Sequence, residues 1–368
     1  MRVLLAAGGT GGHLIPALRI AEAMARREGA LEMVFVGSDR GFEESVIRPR
    51  GYRYVGLPAR GLARRRWWRN ASAVWNNLRA GRMAKQLIRD FRPDVAVGCG
   101  GYASYFPIRA AVRAGIPAVL QEQNRRPGLV TRWLSPKAEI TFVAFPETRE
   151  ALPKSRRSEW VGNPVDPRLA TLSQAEARQH WSLSEESMVI LVTGGSTGAR
   201  SMNQNIARGL KTQNPAGTSV ILWQTGAQGS TWDGRAAAGW TVRQFPFTDR
   251  MTEAFVAADV IIARAGALTV SEITAAGKPA ILVPFPFAAA EHQRHNAAAL
   301  ADVGGAVVVE DDHLEESSLL EEAVKIASDL ERRRTMAEAN RSLARPDAAD
   351  KIAQHVISLA HGQQNSTN

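Results

Sequence analysis

Cysteine is nearly absent. Cys99 is the single one in 368 residues, so no intramolecular disulfide can form, which fits a reducing compartment. Long apolar runs are absent too. None approaches the roughly 18 residues of a membrane-spanning helix. Met1-Arg2 leads into a short apolar stretch before the first glycines, too short for a secretory h-region. The expectation is a chain that spans nothing and stays where it is made. No Asp-x-Asp metal motif occurs; Asp311-Asp312 are adjacent, in an acidic run that ends at Glu316. The seven histidines have no ligand spacing, and no recognised DNA- or RNA-binding motif is present. Acids are scarce in one place. From Arg60 to Arg92 the only acid is Asp90, against nine arginines and Lys85.

What is present is the composition of a soluble globular protein, with 45% hydrophobic and 22% charged residues. The length predicts two domains. The net charge is +10, and the Arg60–Arg92 segment accounts for nearly all of it. A patch this local suggests one anionic surface, not a general polyanion binder. Trp67, Trp68, Trp75 and Leu78 lie within it. Arginine with tryptophan suits an anionic membrane surface, where rings settle at headgroup depth and charges meet the lipids. The alternative is a solvated basic loop whose tryptophans cap the domain core.

Short apolar strands alternate with helical stretches: Val3–Ala7, Met33–Val36, Val95–Val97, Ala118–Leu120 and Ile140–Val143, with a helix over about Leu14–Arg27. This pattern predicts a parallel sheet covered on both faces. Gly162-Asn163-Pro164-Val165-Asp166-Pro167 interrupts it, and the domain boundary is placed at 162/163. Ser173 and Glu176 have capping-box spacing. The pattern then restarts with strands at Met188–Thr193, Val220–Trp223, Thr241–Arg243, Val260–Ala263 and Ala280–Val283, and a helix over Asn203–Leu210. The second domain is expected over 163–346. A last helix at 347–361 is expected to return to the first domain, before a disordered tail at 362–368.

Each half opens strand, glycine loop, helix. The loops are Gly8-Gly9-Thr10-Gly11-Gly12-His13 and Gly194-Gly195-Ser196-Thr197-Gly198. Glycines let a phosphate approach the unpaired N–H groups of a helix start; a ligand-free tight turn is the other reading. A P-loop would need Lys-Ser/Thr after Gly12, where His13-Leu14 stands, and a dinucleotide fingerprint would need glycine at Leu14. Asp259 to Pro284 predicts strand, turn at Gly266, helix from Ala267, stop at Gly277, strand. A diphosphate there would use the N–H groups of Ala267, Leu268 and Thr269. Glu272, a turn or two in, would accept ribose hydroxyls, or is simply a helix-start acid.

Taken in order, Gly8–His13, Gly100-Gly101-Tyr102, Glu122-Gln123-Asn124, Gly162-Asn163-Pro164-Val165, Gly194-Gly195-Ser196, Gly266–Glu272 and Gln293 with Asn296 resemble the MurG family. These are the N-acetylglucosaminyltransferases of bacterial peptidoglycan synthesis. The resemblance runs along nearly the whole chain. It implies the GT-B fold: α/β, two Rossmann-like doubly wound parallel-sheet domains facing a cleft. It implies UDP-N-acetylglucosamine as donor, undecaprenyl-diphosphate-linked N-acetylmuramoyl-pentapeptide as acceptor, no metal or other cofactor, no nucleic acid, and a peripheral place on the cytoplasmic face of the inner membrane. It assigns Ser196 and Ala267 to Glu272 (with Leu268, Thr269, Val270 and Ser271 between) to the donor diphosphate and ribose. It also assigns Thr248 to the uracil, Gln293 and Asn124 to the sugar, and Thr10, Gly11 and Gly12 to the sugar and acceptor diphosphate.

Three positions depart from the family pattern. Asp166 stands where arginine is common, Gln121 where histidine is, and Ser104-Tyr105-Phe106-Pro107 replaces a smaller turn. Arg168, Arg200 and Arg264 are candidates for the missing phosphate contact. The implied inverting displacement needs a base at the acceptor hydroxyl, for which His13 and Glu122 are the candidates. Rival readings are another GT-B UDP-sugar enzyme, such as a glycolipid glucosyltransferase or an epimerase, or a non-catalytic basic nucleotide- or RNA-binding protein.

Overall fold

The structure is a computed structural model and describes residues 1–61, 71–195, 198–215, 217–227, 229–230, 232–235, 239–287 and 291–367. The chain separates into two compact units, Met1–Val165 with Asp347–Asn368, and Asp166–Pro346.

The first unit holds seven strands: β1 (Arg2–Ala6), β2 (Glu32–Ser38), β3 (Arg53–Leu57), β4 (Val95–Gly98), β5 (Ala118–Glu122), β6 (Ile140–Val143) and β7 (Ser158–Trp160). They pair in parallel in the order β3-β2-β1-β4-β5-β6-β7. Because side chains alternate across a strand, β1 serves two cores. Val3 and Leu5 pack with the helix Gly11–Arg27, while Leu4 and Ala6 pack with the helices Ala71–Phe91 and Tyr102–Arg113. The first core is closed by the helix Ala348–Thr367 through Ala349, Ile352, Ala353, Val356 and Ala360, one apolar stripe at helical spacing. That helix continues to Thr367, through the end expected to be disordered.

The second unit repeats the plan with β8 (Met188–Thr193), β9 (Ser219–Gln224), β10 (Trp240–Phe245), β11 (Val260–Ala263), β12 (Ala280–Leu282) and β13 (Ala306–Val308), ordered β10-β9-β8-β11-β12-β13. All pairs are again parallel. The capping box forms as expected, with Ser173 and Glu176 each satisfying the other's backbone N–H.

In both sheets the chain runs outward one way, then returns to the centre and runs the other way. The reversals lie between β1 and β4 and between β8 and β11, the places where open parallel sheets bind ligands beyond their carboxyl ends. At the first, two turns meet backbone to backbone. Gly101 has φ +76°, and a Cβ there would overlap the carbonyl oxygen of Gly8; a Cβ on Gly8 would stand 2.8 Å from that of Ala103. Gly51 has a similar φ of +81° with open space around it.

Gly101→Ala should therefore cost more than Gly51→Ala. Gly51→Ala should cost about 1 kcal/mol of left-handed strain, and Gly101→Ala about 2–3 kcal/mol or more, because the two turns must also separate. Urea unfolding of the two variants checks the difference.

Candidate active site

Three loops of the first unit converge at the β1/β4 reversal. The first, Ala7–Thr10, leads into the helix Gly11–Arg27, whose N-cap is Thr10. Thr10 Oγ1 lies 2.9 Å from His13 Nδ1. The second, after β4, lays Gly100 against the His13 ring, where a Cβ would come within 2.7 Å of Cδ2. The third, after β5, is held by Gln123, whose Nε2 donates to the Cys99 carbonyl at 2.8 Å. Cys99 itself is buried, and burial pushes its thiol up to about 12, so it is no nucleophile at neutral pH.

Glu122 ends β5, buried. Its Oε1 accepts from the backbone N–H and the side-chain amide of Asn124, at 3.1 and 3.2 Å. Its Oε2 accepts from Gly128 N at 3.0 Å and from the Thr131 hydroxyl. Four donors saturate the carboxylate, which makes it a brace for the loop that carries Asn124. Gln121 is fully buried and donates to Asn163 Oδ1 at 2.9 Å. Asn163 in turn donates to the Gln123 carbonyl at 3.1 Å. The Gly-Asn-Pro block thus ties the third loop down.

One supporting residue had no signal in the sequence. Glu43 is fully buried, and its Oε1 accepts the Gly9 N–H at 2.7 Å. Its Oε2 has no hydrogen-bond partner among the described residues. Burial first, and the nearby Glu43 charge second, push the Tyr54 phenol well above its ordinary range. Glu43 looks like an ordinary helix-start acid in sequence; only folding puts it beneath the glycine turn.

In the second unit Gly195 N bonds Thr193 Oγ1 at 3.2 Å, and Gly198, at φ +80°, presses on the Thr225 carbonyl. Ser196 lies outside the described residues, as does the 62–70 stretch with Trp67 and Trp68. The helix Ala267–Ala276 starts at Gly266 with no side-chain cap among the described residues and ends at Gly277, φ +59°. Such a start directs its first-turn N–H groups and dipole to a ligand. Leu268, Thr269, Ser271 and Glu272 are half-buried there. Val270 is not: its side chain is in the core and its N–H bonds the Gly266 carbonyl at 2.9 Å, so it packs the helix. Thr248 follows β10 and accepts from Arg250 N at 3.1 Å. Gln293 Oε1 accepts from Phe285 N at 2.9 Å, which orients its amide.

The arginines divide by geometry. Arg168 is engaged by Asp166 and Glu253, each at 2.9 Å, and Thr252 also donates to Asp166. Asp166 thus anchors neighbouring helices instead of offering a cation. Arg264 is a buried hub. It pairs with Asp311, donates to Ser201 Oγ at 2.9 Å and to the carbonyls of Val283 and Pro284 at 3.2 and 3.3 Å, and lies over the Phe285 ring. It cross-links the loops after β11 and β12 and the start of the helix Arg200–Thr212. Arg200 is exposed at that helix start.

Two parallel-sheet domains, each with a glycine turn and a helix start at its reversal, define the GT-B class of glycosyltransferases. Residues 3–143 match the glycosyltransferase family 28 N-terminal domain, and residues 189–352 the family 28 C-terminal domain. The chain is 36% identical to the UDP-N-acetylglucosamine–N-acetylmuramyl-(pentapeptide) pyrophosphoryl-undecaprenol N-acetylglucosamine transferase of Moorella thermoacetica, over 97% of this chain and 98% of that one. It is 38% identical to the enzyme of the same name from Nitratidesulfovibrio vulgaris, over 98% of each. The crystal structure of Acinetobacter baumannii MurG superposes with a TM-score of 0.76 at 28% identity, covering 97% of this chain and 99% of that one. The chain belongs to the MurG family of N-acetylglucosamine transferases.

If Arg264 is the hub, Arg264→Met should cost about 2–4 kcal/mol by leaving Asp311 without its cation. Arg264→Met with Asp311→Asn should recover at least about 1 kcal/mol of that in urea unfolding.

Proposed function

We propose that this chain transfers N-acetylglucosamine from UDP-N-acetylglucosamine to the 4-hydroxyl of undecaprenyl-diphosphate-linked N-acetylmuramoyl-pentapeptide, with inversion. The observation that carries this reading is the family match at 36–38% identity along the full chain.

The donor binds the second unit. Its diphosphate meets the N–H groups at the start of the helix Ala267–Ala276, with Ser196 on the other loop. Glu272 accepts from the ribose, Thr248 adjoins the uracil, and Gln293 reads the sugar through an amide already oriented by Phe285. Asn124, in the first unit, is a further contact proposed for N-acetylglucosamine. Thr10, Gly11 and Gly12 adjoin the sugar and the acceptor diphosphate.

The acceptor oxygen attacks the anomeric carbon as the bond to the diphosphate oxygen breaks, and UDP leaves with the electron pair. The helix dipole stabilises the charge that develops on UDP. His13 takes the hydroxyl proton. Thr10 Oγ1 lies 2.9 Å from Nδ1, and in the tautomer that carries the proton on Nδ1 the basic nitrogen is Nε2. Packing on Gly100 supports this role, since a ring so confined holds one orientation. Glu122, with its oxygens filled by four donors, is assigned to positioning Asn124.

The acceptor's lipid places the enzyme on the cytoplasmic face of the membrane. No helix among the described residues is long and apolar enough to cross it. The first unit offers a surface instead. Val74, Trp75 and Leu78 are exposed on the helix Ala71–Phe91, and Leu129 and Trp133 on the helix Leu129–Leu134. Such residues beside arginines suit partition into an anionic headgroup layer.

UDP release from UDP-N-acetylglucosamine should depend on the lipid-linked muramoyl peptide; release without it would favour hydrolase or epimerase chemistry. His13→Ala should lower kcat by about 10²–10⁴ with little change in donor affinity. Glu272→Ala should raise the donor KM about tenfold or more, as expected for loss of a charge-assisted ribose contact.

A further inference from the structure

The peptide between Gly8 and Gly9 has glycine on both sides, so its own backbone permits either orientation of its plane. The fold grips that plane at both ends. Its carbonyl oxygen lies against Gly101, where a Cβ would overlap it, and its N–H donates to Glu43 Oε1 at 2.7 Å. Glu43 is itself fixed. A Cβ on Gly41 would overlap its Oε2, and Ile47, on the same short helix Glu43–Ile47, is buried in one core with Leu14 of the helix Gly11–Arg27. The choice of a carboxylate here is costly. Glu43 is fully buried, its Oε2 has no hydrogen-bond partner among the described residues, and the nearby Arg48 pairs with Glu44 instead. A neutral amide would accept the same N–H without burying a charge. An amide would not, however, reject the reversed peptide. An ionised carboxylate only accepts, so it repels a carbonyl turned toward it, whereas a glutamine donates to that carbonyl and holds either orientation.

We propose that Glu43 is a positioning residue for the transfer: as an acceptor-only latch it holds the Gly8–Gly9 peptide in one orientation and so aims the first glycine turn at the acceptor. The inference rests on the reading of that turn given above and extends it to a residue outside the turn. Gly9, at φ +96°, leads directly into Thr10, the N-cap of the helix Gly11–Arg27 and the neighbour of His13 Nδ1. Reversal of the peptide would withdraw the Gly8 carbonyl from Gly101 and loosen the contact between the two turns. Gly100, next in the chain to Gly101, is what the His13 ring packs against. Phe42 also ties the two segments together, since a Cβ on Gly11 would meet its ring at 3.8 Å. Glu43 touches no reacting atom on this reading; it acts through the turn.

Glu43→Gln separates a latch from a mere support, because it keeps the volume and an acceptor for the Gly9 N–H while removing the buried charge. Its urea midpoint should equal or exceed that of the wild type, and Glu43→Ala, which leaves the N–H unmatched, should fall below both. Acceptor-dependent UDP release by Glu43→Gln should nevertheless lose at least about tenfold in kcat, with the donor KM within about twofold of wild type, because a displaced turn misaligns the acceptor side alone. Amide hydrogen exchange across residues 8–13 should quicken at least about tenfold in the same variant, as the reversed peptide frees the Gly9 N–H. Wild-type kcat in Glu43→Gln would overturn the latch, and so would unchanged exchange beside a lowered kcat. A urea midpoint as low as that of Glu43→Ala would make the charge part of the stability of the fold and overturn it too. The pH profile of kcat should keep its shape in Glu43→Gln; loss of its base limb would make Glu43 the proton acceptor and not a positioning residue. Wild-type protein that releases no UDP with the lipid-linked acceptor would sink the transferase reading itself, whatever the variants do.

Discussion

In each half, the chemistry depends on backbone lying against backbone where no side chain has room. Gly101 against Gly8 sets how closely the loops at the first sheet reversal approach, and Gly198 against the Thr225 carbonyl does the same for the loops after β8 and β9. Only with the first of these contacts made does Gly100 receive the His13 ring, and the Thr10 hydroxyl then holds that ring from the other nitrogen. A glycine is needed at such points for two separate reasons, positive φ and lack of a Cβ, and Gly101 and Gly198 meet both.

Around these contacts, buried polar groups serve as braces. Glu122 gathers four donors, Glu43 holds the Gly9 N–H from beneath, and Gln121, Gln123 and Asn163 form one chain of amides. In the second unit Arg264 does the equivalent with one guanidinium. Buried polar groups are costly unless paired, so each such network specifies a single loop arrangement. This explains why the residues departing from the family pattern are accommodated. Gln121 is paired with Asn163, and Asp166 is an anchor for Arg168 and Thr252.

The strands that the sequence pattern missed are β3, β7 and β13, and all three lie at sheet edges. Edge strands are short and partly exposed, so they lack the continuous apolar run that marks a central parallel strand. Central strands were legible almost to the residue: Ile140–Val143, Met188–Thr193 and Val260–Ala263 agree with the observed bounds. The helix at Arg200–Thr212 begins earlier than expected, because no strong capping residue marks its start. The final helix runs past its expected end for a related reason: a polar tail reads as loop whether or not it extends a helix already formed on the core.

The sequence by itself determined the two-fold alternation of strand, glycine turn and helix, the family, and the positions of His13, Asn124, Glu272 and Gln293 along the chain. The alternation follows from local chemistry, that is apolar period, glycine and capping; the family, and the interest of Asn124 and Gln293, rest on the resemblance of the ordered motifs. Tertiary structure alone decided which carboxylate is a brace and which arginine is engaged. It placed Glu43 under the first turn and turned Val270 into the core. Many of these partners are distant in the chain, as Glu43 is from Gly9, Glu253 from Arg168 and Asp311 from Arg264, and burial sets their energy.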